Sequence, residues 1–300
     1  MSFGYLIFAI YVVAIMNMHY RGSVRFPLRR QILTHTNYLA PYNLLMNLCA
    51  KLPNKPLLDT TYIDDLAILR ENWELMREEA LRLSADGKIT AAANLNDFGF
   101  NSFFRTGWTR FYLKWYDDYL PSAANQCPKT VEILKQTPSI KGAMFASLPP
   151  DAVLSPHRDP FAGSLRYHLG LATPNDDNCY ILVDGNRHSW RDGEDVLFDE
   201  TYIHEAHNRT DQQRIILFAD VGRPMRFKLL DKLNNWVIDH LLKASSTQNE
   251  ETEKVGLLNR GFDKAYSIRI YYRQIKYWNR HAYYGLKYSL FAGIVYVIFF

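Results

Sequence analysis

Residues 155–171 read SPHRDPFAGSLRYHLGL, and the way this stretch is folded decides the rest. His157 and Asp159 stand two positions apart, and Arg166 and His168 stand two apart just behind them. In a strand, successive side chains alternate between faces. Leu165, Tyr167, Leu169 and Leu171 therefore share one face, and Arg166, His168 and Gly170 share the other. The first set reads as core. If the second set faces the same hollow as His157 and Asp159, the stretch supplies metal ligands and an anion-binding wall together, with a third ligand still to come.

Residues 199–221, DETYIHEAHNRTDQQRIILFADV, offer that ligand in His204, 47 positions beyond His157. Ten residues later comes Arg214, which shares a strand face with Ile216, Phe218 and Asp220. An HxD pair, a distal His and an Arg about ten further on is the sequence form of a 2-His-1-carboxylate facial triad with a cosubstrate anchor. Such a triad of His157, Asp159 and His204 leaves open positions on Fe(II) for a bidentate 2-oxo acid and dioxygen. Arginine suits the anchor because its planar fork holds a carboxylate by two charge-assisted bonds and stays protonated. The neighbouring His204-Glu205-Ala206-His207 is not a zinc-protease motif, because HExxH places its second His at i+4 on one helix face. His188 and His207 read as ordinary core or surface residues.

The surroundings fit a β scaffold. Between Ile140 and Val221 short β-prone runs (GAMFASL, SLRYHLGLA, CYILV, DVLFDE, QRIILFADV) alternate with turn signals, including Asp184-Gly185 and Asp192-Gly193. Strands so closely spaced predict a mainly β domain, a sandwich or barrel-like jelly roll, with flanking helices. Leu66, Leu69, Trp73, Met76, Ala80 and Leu83 form one helical stripe that stops at Asp86-Gly87. A second amphipathic segment covers Phe227 to Leu242, and KASSTQNEETEK (243–254) has the composition of a linker.

At 300 residues and 48% hydrophobic, the chain can bury one sizeable core with segments to spare. Its net charge of +4 is too small to suggest a nucleic-acid partner. Cys49, Cys127 and Cys179 lie far apart with no CxxC, which fits a reducing compartment.

The two ends are the most apolar segments. Phe3 to Met18 carries no charge, is preceded by no basic region and followed by no cleavage site, and is trailed by Arg21, Arg25, Arg29 and Arg30. This reads as an uncleaved membrane anchor over 1–20 with the remainder on the cytoplasmic side. Residues 283–300 read as a second membrane segment. Upstream of it Lys264, Arg269, Arg273, Lys276 and Arg280 interleave with Tyr266, Tyr271, Tyr272, Tyr277 and Trp278, a pattern suited to anionic headgroups. The expected organisation is thus an anchor (1–20), a basic juxtamembrane segment (21–60), a catalytic domain (61–224), a basic, amphipathic membrane-adjacent region (225–282) and a terminal membrane segment (283–300).

From Gly142 to Pro224 the sequence resembles the aspartyl/asparaginyl β-hydroxylase family, through SPHRDPFAGSLRYHLGL, WRDGEDVLFDETYIHEAHN and RIILFADVGRP. With GFNSFFRTGWTRFYLKWYDDYLPSA and CPKTVEILKQTPSIKGAMFA added, nearly the whole chain looks like the bacterial branch that 2-hydroxylates lipid A. The resemblance implies a double-stranded β-helix, Fe(II) as cofactor and 2-oxoglutarate and O2 as cosubstrates. It makes His157 and His204 iron ligands and Arg214 the partner of the distal carboxylate of 2-oxoglutarate, with Arg166 and His168 helping to hold the cosubstrate. Animal peptidyl members carry glycine where this chain has Asp159, so the place of Asp159 on the iron follows from the triad logic and not from the family. The expected activity is hydroxylation of an acyl chain of lipid A at the bacterial inner membrane, with the domain on the cytoplasmic side and the bilayer as partner. The alternatives are β-hydroxylation of an Asp or Asn side chain, and a non-catalytic membrane-bound jelly roll.

Overall fold

The structure is a computed structural model that describes residues 3–91, 97, 99–116, 118–261, 274 and 276–299. The interleaved positions Lys264, Tyr266, Arg269, Tyr271, Tyr272 and Arg273 lie outside the described residues.

The expected mainly β core is present. Its strands are β1 (Leu57–Leu58), β2 (Thr109–Trp115), β3 (Asp118–Tyr119), β4 (Ile140–Leu148), β5 (Val153–His157), β6 (Ser164–Ala172), β7 (Cys179–Val183), β8 (Asn186–Ser189), β9 (Asp195–Phe198), β10 (His204–Asn208) and β11 (Arg214–Gly222). They form a seven-stranded sheet ordered β1-β9-β6-β11-β4-β2-β3 and a four-stranded sheet ordered β5-β10-β7-β8. Every pairing is antiparallel. Inward residues of both sheets, among them Met144 and Ile216 of the wide one and Leu154, Ile181 and Val183 of the narrow one, join a single apolar cluster. This is sandwich packing of the jelly-roll kind.

The central strands β4, β6 and β11 are buried on both faces. That is possible because helices cover the outer face of the wide sheet. The stripe from Leu66 to Leu83 is buried as its spacing predicts, yet it is carried on two helices, α4 (Leu66–Glu71) and α5 (Trp73–Ala85). The break falls at Asn72, whose side-chain amide donates to the Ile68 carbonyl at 2.8 Å, a local bond that competes with the helix ladder.

The amino-terminal part forms a hook of three helices, α1 (Phe3–Tyr20), α2 (Leu28–Leu33) and α3 (Ala40–Cys49). Ala14 and Met18 of α1 pack on Ala40 of α3, while Leu6, Ile7, Phe8, Val12 and Val13 stay exposed. After α1 the chain is clasped to the β core: the Ser23 and Val24 amides donate to the carboxylate of Asp184, in the β7–β8 turn, at 2.9 and 2.7 Å.

The expected membrane spans over 1–20 and 283–300 are not supported, because among the described residues no helix is long and apolar enough to cross a membrane. The 18 residues of α1 rise only about 27 Å, against a hydrocarbon core of roughly 30 Å, and Asn17 and His19 interrupt its last turn. The carboxyl-terminal helix Arg280–Phe299 carries Arg280, His281 and Lys287 in its first half.

Residues 243–254, linker-like in composition, lie on the domain. Asn249 donates to the Tyr112 carbonyl and accepts from its amide, both at 2.8 Å, so one side chain occupies the open edge of β2. Glu253 accepts from the Ser122 amide at 2.9 Å.

Candidate active site

Adjacent strands of the narrow sheet bring the two histidines together: His157 on β5 and His204 on β10 are register partners, and their ring centroids lie 4.2 Å apart. Each imidazole is oriented in the same way. His157 Nδ1 lies 2.7 Å from the Ser155 carbonyl and His204 Nδ1 lies 3.0 Å from the Tyr202 carbonyl. A carbonyl oxygen can only accept, so both Nδ1 atoms carry a proton and Nε2 is the nitrogen each neutral ring would offer as a ligand. Burial, reinforced by the neighbouring His157, pushes His204 down to about 3 and keeps it neutral.

Asp159 follows β5 and is tied by its amide to the Glu200 carbonyl at 3.0 Å. Ligand atoms of His157, Asp159 and His204 all lie within 4.8 Å of one another, and Asp159 Oδ1 is 4.0 Å from His157 Nε2. The other oxygen, Oδ2, accepts from Arg166 at 2.9 Å. Burial opposes ionisation of Asp159, but Arg166 and then the two imidazoles outweigh it and hold the carboxyl below its ordinary range. Two imidazole nitrogens and one carboxylate oxygen, each steered by a partner behind it, are a donor set that fits a divalent ion such as Fe(II).

The cluster opens on a small cavity also lined by Arg166, His168 and Arg214. All six residues singled out in the sequence therefore meet at one place. Arg214, at the start of β11, is 2% exposed, its Nε has no partner, and its guanidinium lies 4.3 Å over the Trp190 ring. Among the described residues it makes no ion pair, and burial lowers its pKa to about 10. His168 sits between Phe198 and Phe218, with ring centroids 5.0 Å from each, and neither of its nitrogens has a partner. Burial, with Arg166 and Arg214 nearby, holds His168 well below its ordinary value.

Arg166 has different company. Besides Asp159 it bonds Glu200 Oε2, and its Nε lies 3.1 Å from Asp220 Oδ1. Its guanidinium also stacks 3.8 Å over Phe218. Burial raises both Glu200 and Asp220, and Arg166 only partly offsets this. Sequence reasoning missed Glu200 and the aromatic lining by Phe103, Trp108, Trp190 and Phe198; Asp220 was readable from the alternation of β11.

The aspartyl/asparaginyl β-hydroxylase family model matches residues 70–224. The chain is 29% identical over 213 residues to the ornithine lipid ester-linked acyl 2-hydroxylase of Rhizobium tropici, covering 68% of this chain and 75% of that protein. It is 27% identical over 174 residues to human aspartyl/asparaginyl β-hydroxylase, 55% of this chain but only 22% of the human protein. A Pseudomonas putida prolyl-4-hydroxylase structure aligns over 51% of this chain and 87% of its own, at 18% identity and a TM-score of 0.36. Since the family match spans just over half of the chain, the protein belongs to the aspartyl/asparaginyl β-hydroxylase family and is a hydroxylase of the 2-oxoglutarate-dependent dioxygenase type.

Proposed function

We propose that the chain is a membrane-associated, Fe(II)- and 2-oxoglutarate-dependent dioxygenase that hydroxylates carbon 2 of a lipid acyl chain, with lipid A as the candidate substrate. The observation that carries the cosubstrate is Arg214: a buried guanidinium with no ion pair among the described residues, on the wall of a cavity whose other side is the His157-Asp159-His204 cluster. A buried unpaired charge is costly and is retained where a ligand completes it. His157, Asp159 and His204 would hold the iron, Arg214 the distal carboxylate of 2-oxoglutarate, and His168 would donate a second bond to the cosubstrate.

When bound, Fe(II) and 2-oxoglutarate supply oxidative decarboxylation by dioxygen, releasing succinate and CO2 and placing an oxygen atom in a C–H bond. The chain's own task is positioning. Phe103, Trp108, Leu154, Phe198 and Phe218 give the cavity apolar walls that exclude water and accept hydrocarbon. His157 and Asp159, with about a quarter of their side-chain surface exposed, mark the open end where an acyl chain would enter.

The lipid assignment is supported by the exposed apolar face of α1, with Arg25, Arg29 and Arg30 exposed beyond it, and by the reaction named for the rhizobial relative. An uncharged apolar segment with cations at its end would enter a bilayer and favour anionic headgroups. We place the domain on the cytoplasmic face of the bacterial inner membrane, where Fe(II) and 2-oxoglutarate are both available. The test is mass spectrometry of membrane lipids from cells expressing the wild type or His157→Ala. A lipid A species heavier by one oxygen only with the wild type supports the proposal. The same mass gain on another acyl lipid keeps the reaction and changes the substrate, and a hydroxylated peptide with unaltered lipids overturns the lipid reading.

A further inference from the structure

The segment that carries two of the metal-ligating residues is gripped from behind by the amino-terminal hook. His157 and Asp159 line the cavity, and the residues that alternate with them are bonded to α1, α2 and α3. Arg30 donates to the Pro156 carbonyl at 3.0 Å. Arg158, standing between the two ligating residues and only 5% exposed, donates to the Met18 carbonyl near the end of α1. Asn43 of α3, fully buried, donates through Nδ2 to the Pro160 carbonyl at 2.8 Å and accepts through Oδ1 from the Ala162 amide at 2.9 Å.

A second contact set fixes the same turn. Tyr42 stacks on Phe161 at 5.5 Å and 7°, and its hydroxyl donates to Asn234 Oδ1 at 2.6 Å. Asn234 in turn donates to the Gly163 carbonyl at 2.8 Å. Residues 158–163 lie between β5 and β6, outside any strand, so side chains of the hook and of α6 (Lys228–Val237) hold backbone groups that a neighbouring strand would otherwise hold.

We propose that Asn43 is a positioning residue for the metal centre, fixing the loop so that Asp159 meets the two imidazoles. The inference rests on the reading of His157, Asp159 and His204 as metal ligands. His204 stands on β10, anchored on both sides by β5 and β7, whereas Asp159 stands on a loop, held from outside it by Glu200 at its amide and Arg166 at its carboxylate. Loss of Asn43 would orphan the Pro160 carbonyl and the Ala162 amide, and the loop would move to find them partners. Groups that orient metal ligands from behind are worth about 10- to 100-fold in metal affinity when removed.

The experiment titrates Co(II), as a stand-in for Fe(II), into the metal-free full-length chain and follows thermal unfolding of the same metal-free samples. The wild type should bind one equivalent, and His157→Ala should abolish this. Asn43→Ala should weaken binding about tenfold or more. Asn47→Ala is the control: Asn47 lies one turn along the same helix, is 8% exposed and has an unpartnered amide oxygen, so its loss should leave affinity unchanged. Should Asn43→Ala fail to fold, Arg158→Met releases the same loop at Met18 while keeping the aliphatic stem, and carries the same expectation. Wild-type affinity in the loop variant, or equal weakening in Asn47→Ala, overturns the positioning role while the metal site stands. Absence of binding by the wild type, or full binding by His157→Ala, overturns the metal reading and this inference with it.

Discussion

Arg166 Nη2 lies 2.9 Å from Asp159 Oδ2, so the guanidinium that strand alternation aims at the cavity holds the carboxylate of the candidate metal cluster. The same guanidinium meets Glu200 and Asp220, and Tyr116 donates to Asp220 at 3.1 Å. Arg166 is the cation that makes the buried Glu200 and Asp220 compatible with the partly exposed Asp159. Arg166→Met should therefore cost about 3–5 kcal/mol of stability, the range for a broken buried pair. Removing one acid as well, in Arg166→Met/Glu200→Gln, should recover part of the loss. Urea unfolding of the wild type and both variants at pH 7 checks this, and a double variant less stable than the single one would contradict it.

Arg214 predicts the opposite behaviour, because among the described residues no acid pairs with it. Arg214→Ala should raise the Michaelis constant for 2-oxoglutarate at least tenfold, since each charge-assisted bond contributes about 1.5–3 kcal/mol. Arg214→Met should leave the cosubstrate-free protein as stable as the wild type or more so, because a desolvated charge has been removed. It should also abolish the rise in melting temperature on adding 2-oxoglutarate with Fe(II) under nitrogen. An unchanged Michaelis constant would remove Arg214 from the site.

Alternation along 164–172 suffices to aim Arg166 and His168 inward, because a strand has only two faces. Their partners could not be read in the same way. Glu200 comes from the turn before β10, and Asp220 meets Arg166 only through the β6–β11 register, which tertiary packing sets. The strands bearing the two histidines of the candidate metal cluster, β5 and β10, are polar and short, so hydrophobic runs do not mark them; the HxD and distal-His spacing does. Asn43 bonds residues 117 and 119 positions away and gives no local signal. Composition also misled at 243–254, where the polar side chains of Asn249 and Glu253 serve to bind backbone on the domain and not to keep a linker solvated.

Gly170 follows the inward-facing His168 on β6, and a Cβ there would lie 2.0 Å from the carbonyl oxygen of Arg191. The Gly170 amide donates to the Glu194 carbonyl at 3.0 Å and its carbonyl accepts from Gly193 at 2.9 Å, so the 191–194 turn cannot simply back away. Gly170→Ala should cost about 1–3 kcal/mol, as overpacking against buried backbone does. It should also disturb Trp190, the ring beneath Arg214. Denaturant unfolding measures the first effect and the Michaelis constant for 2-oxoglutarate the second; a variant unchanged in both would contradict the close approach.

Asp199 ties the hook to the core and makes stability depend on pH. It is 1% exposed, lies 2.5 Å from Arg21, just after α1, and 2.8 Å from Arg223, and accepts from the Thr201 amide and hydroxyl at 3.0 and 2.6 Å. Burial alone would raise its pKa, but Arg223, Arg21 and Thr201 outweigh it and hold the carboxyl well below its ordinary range. The unfolded chain, with an ordinary carboxyl near 3.9, then takes up the proton at a higher pH than the folded chain does. The stabilisation is thus complete above about pH 5 and is lost as pH falls through about 4 toward the folded value. Asp199→Asn should be less stable than the wild type by about 3–5 kcal/mol at pH 7, and the gap should close progressively between about pH 5 and 3. Urea midpoints for both proteins across that interval provide the measurement, and a gap that stays constant with pH would show that the ionised carboxylate is not what holds Arg21 and Arg223 in place.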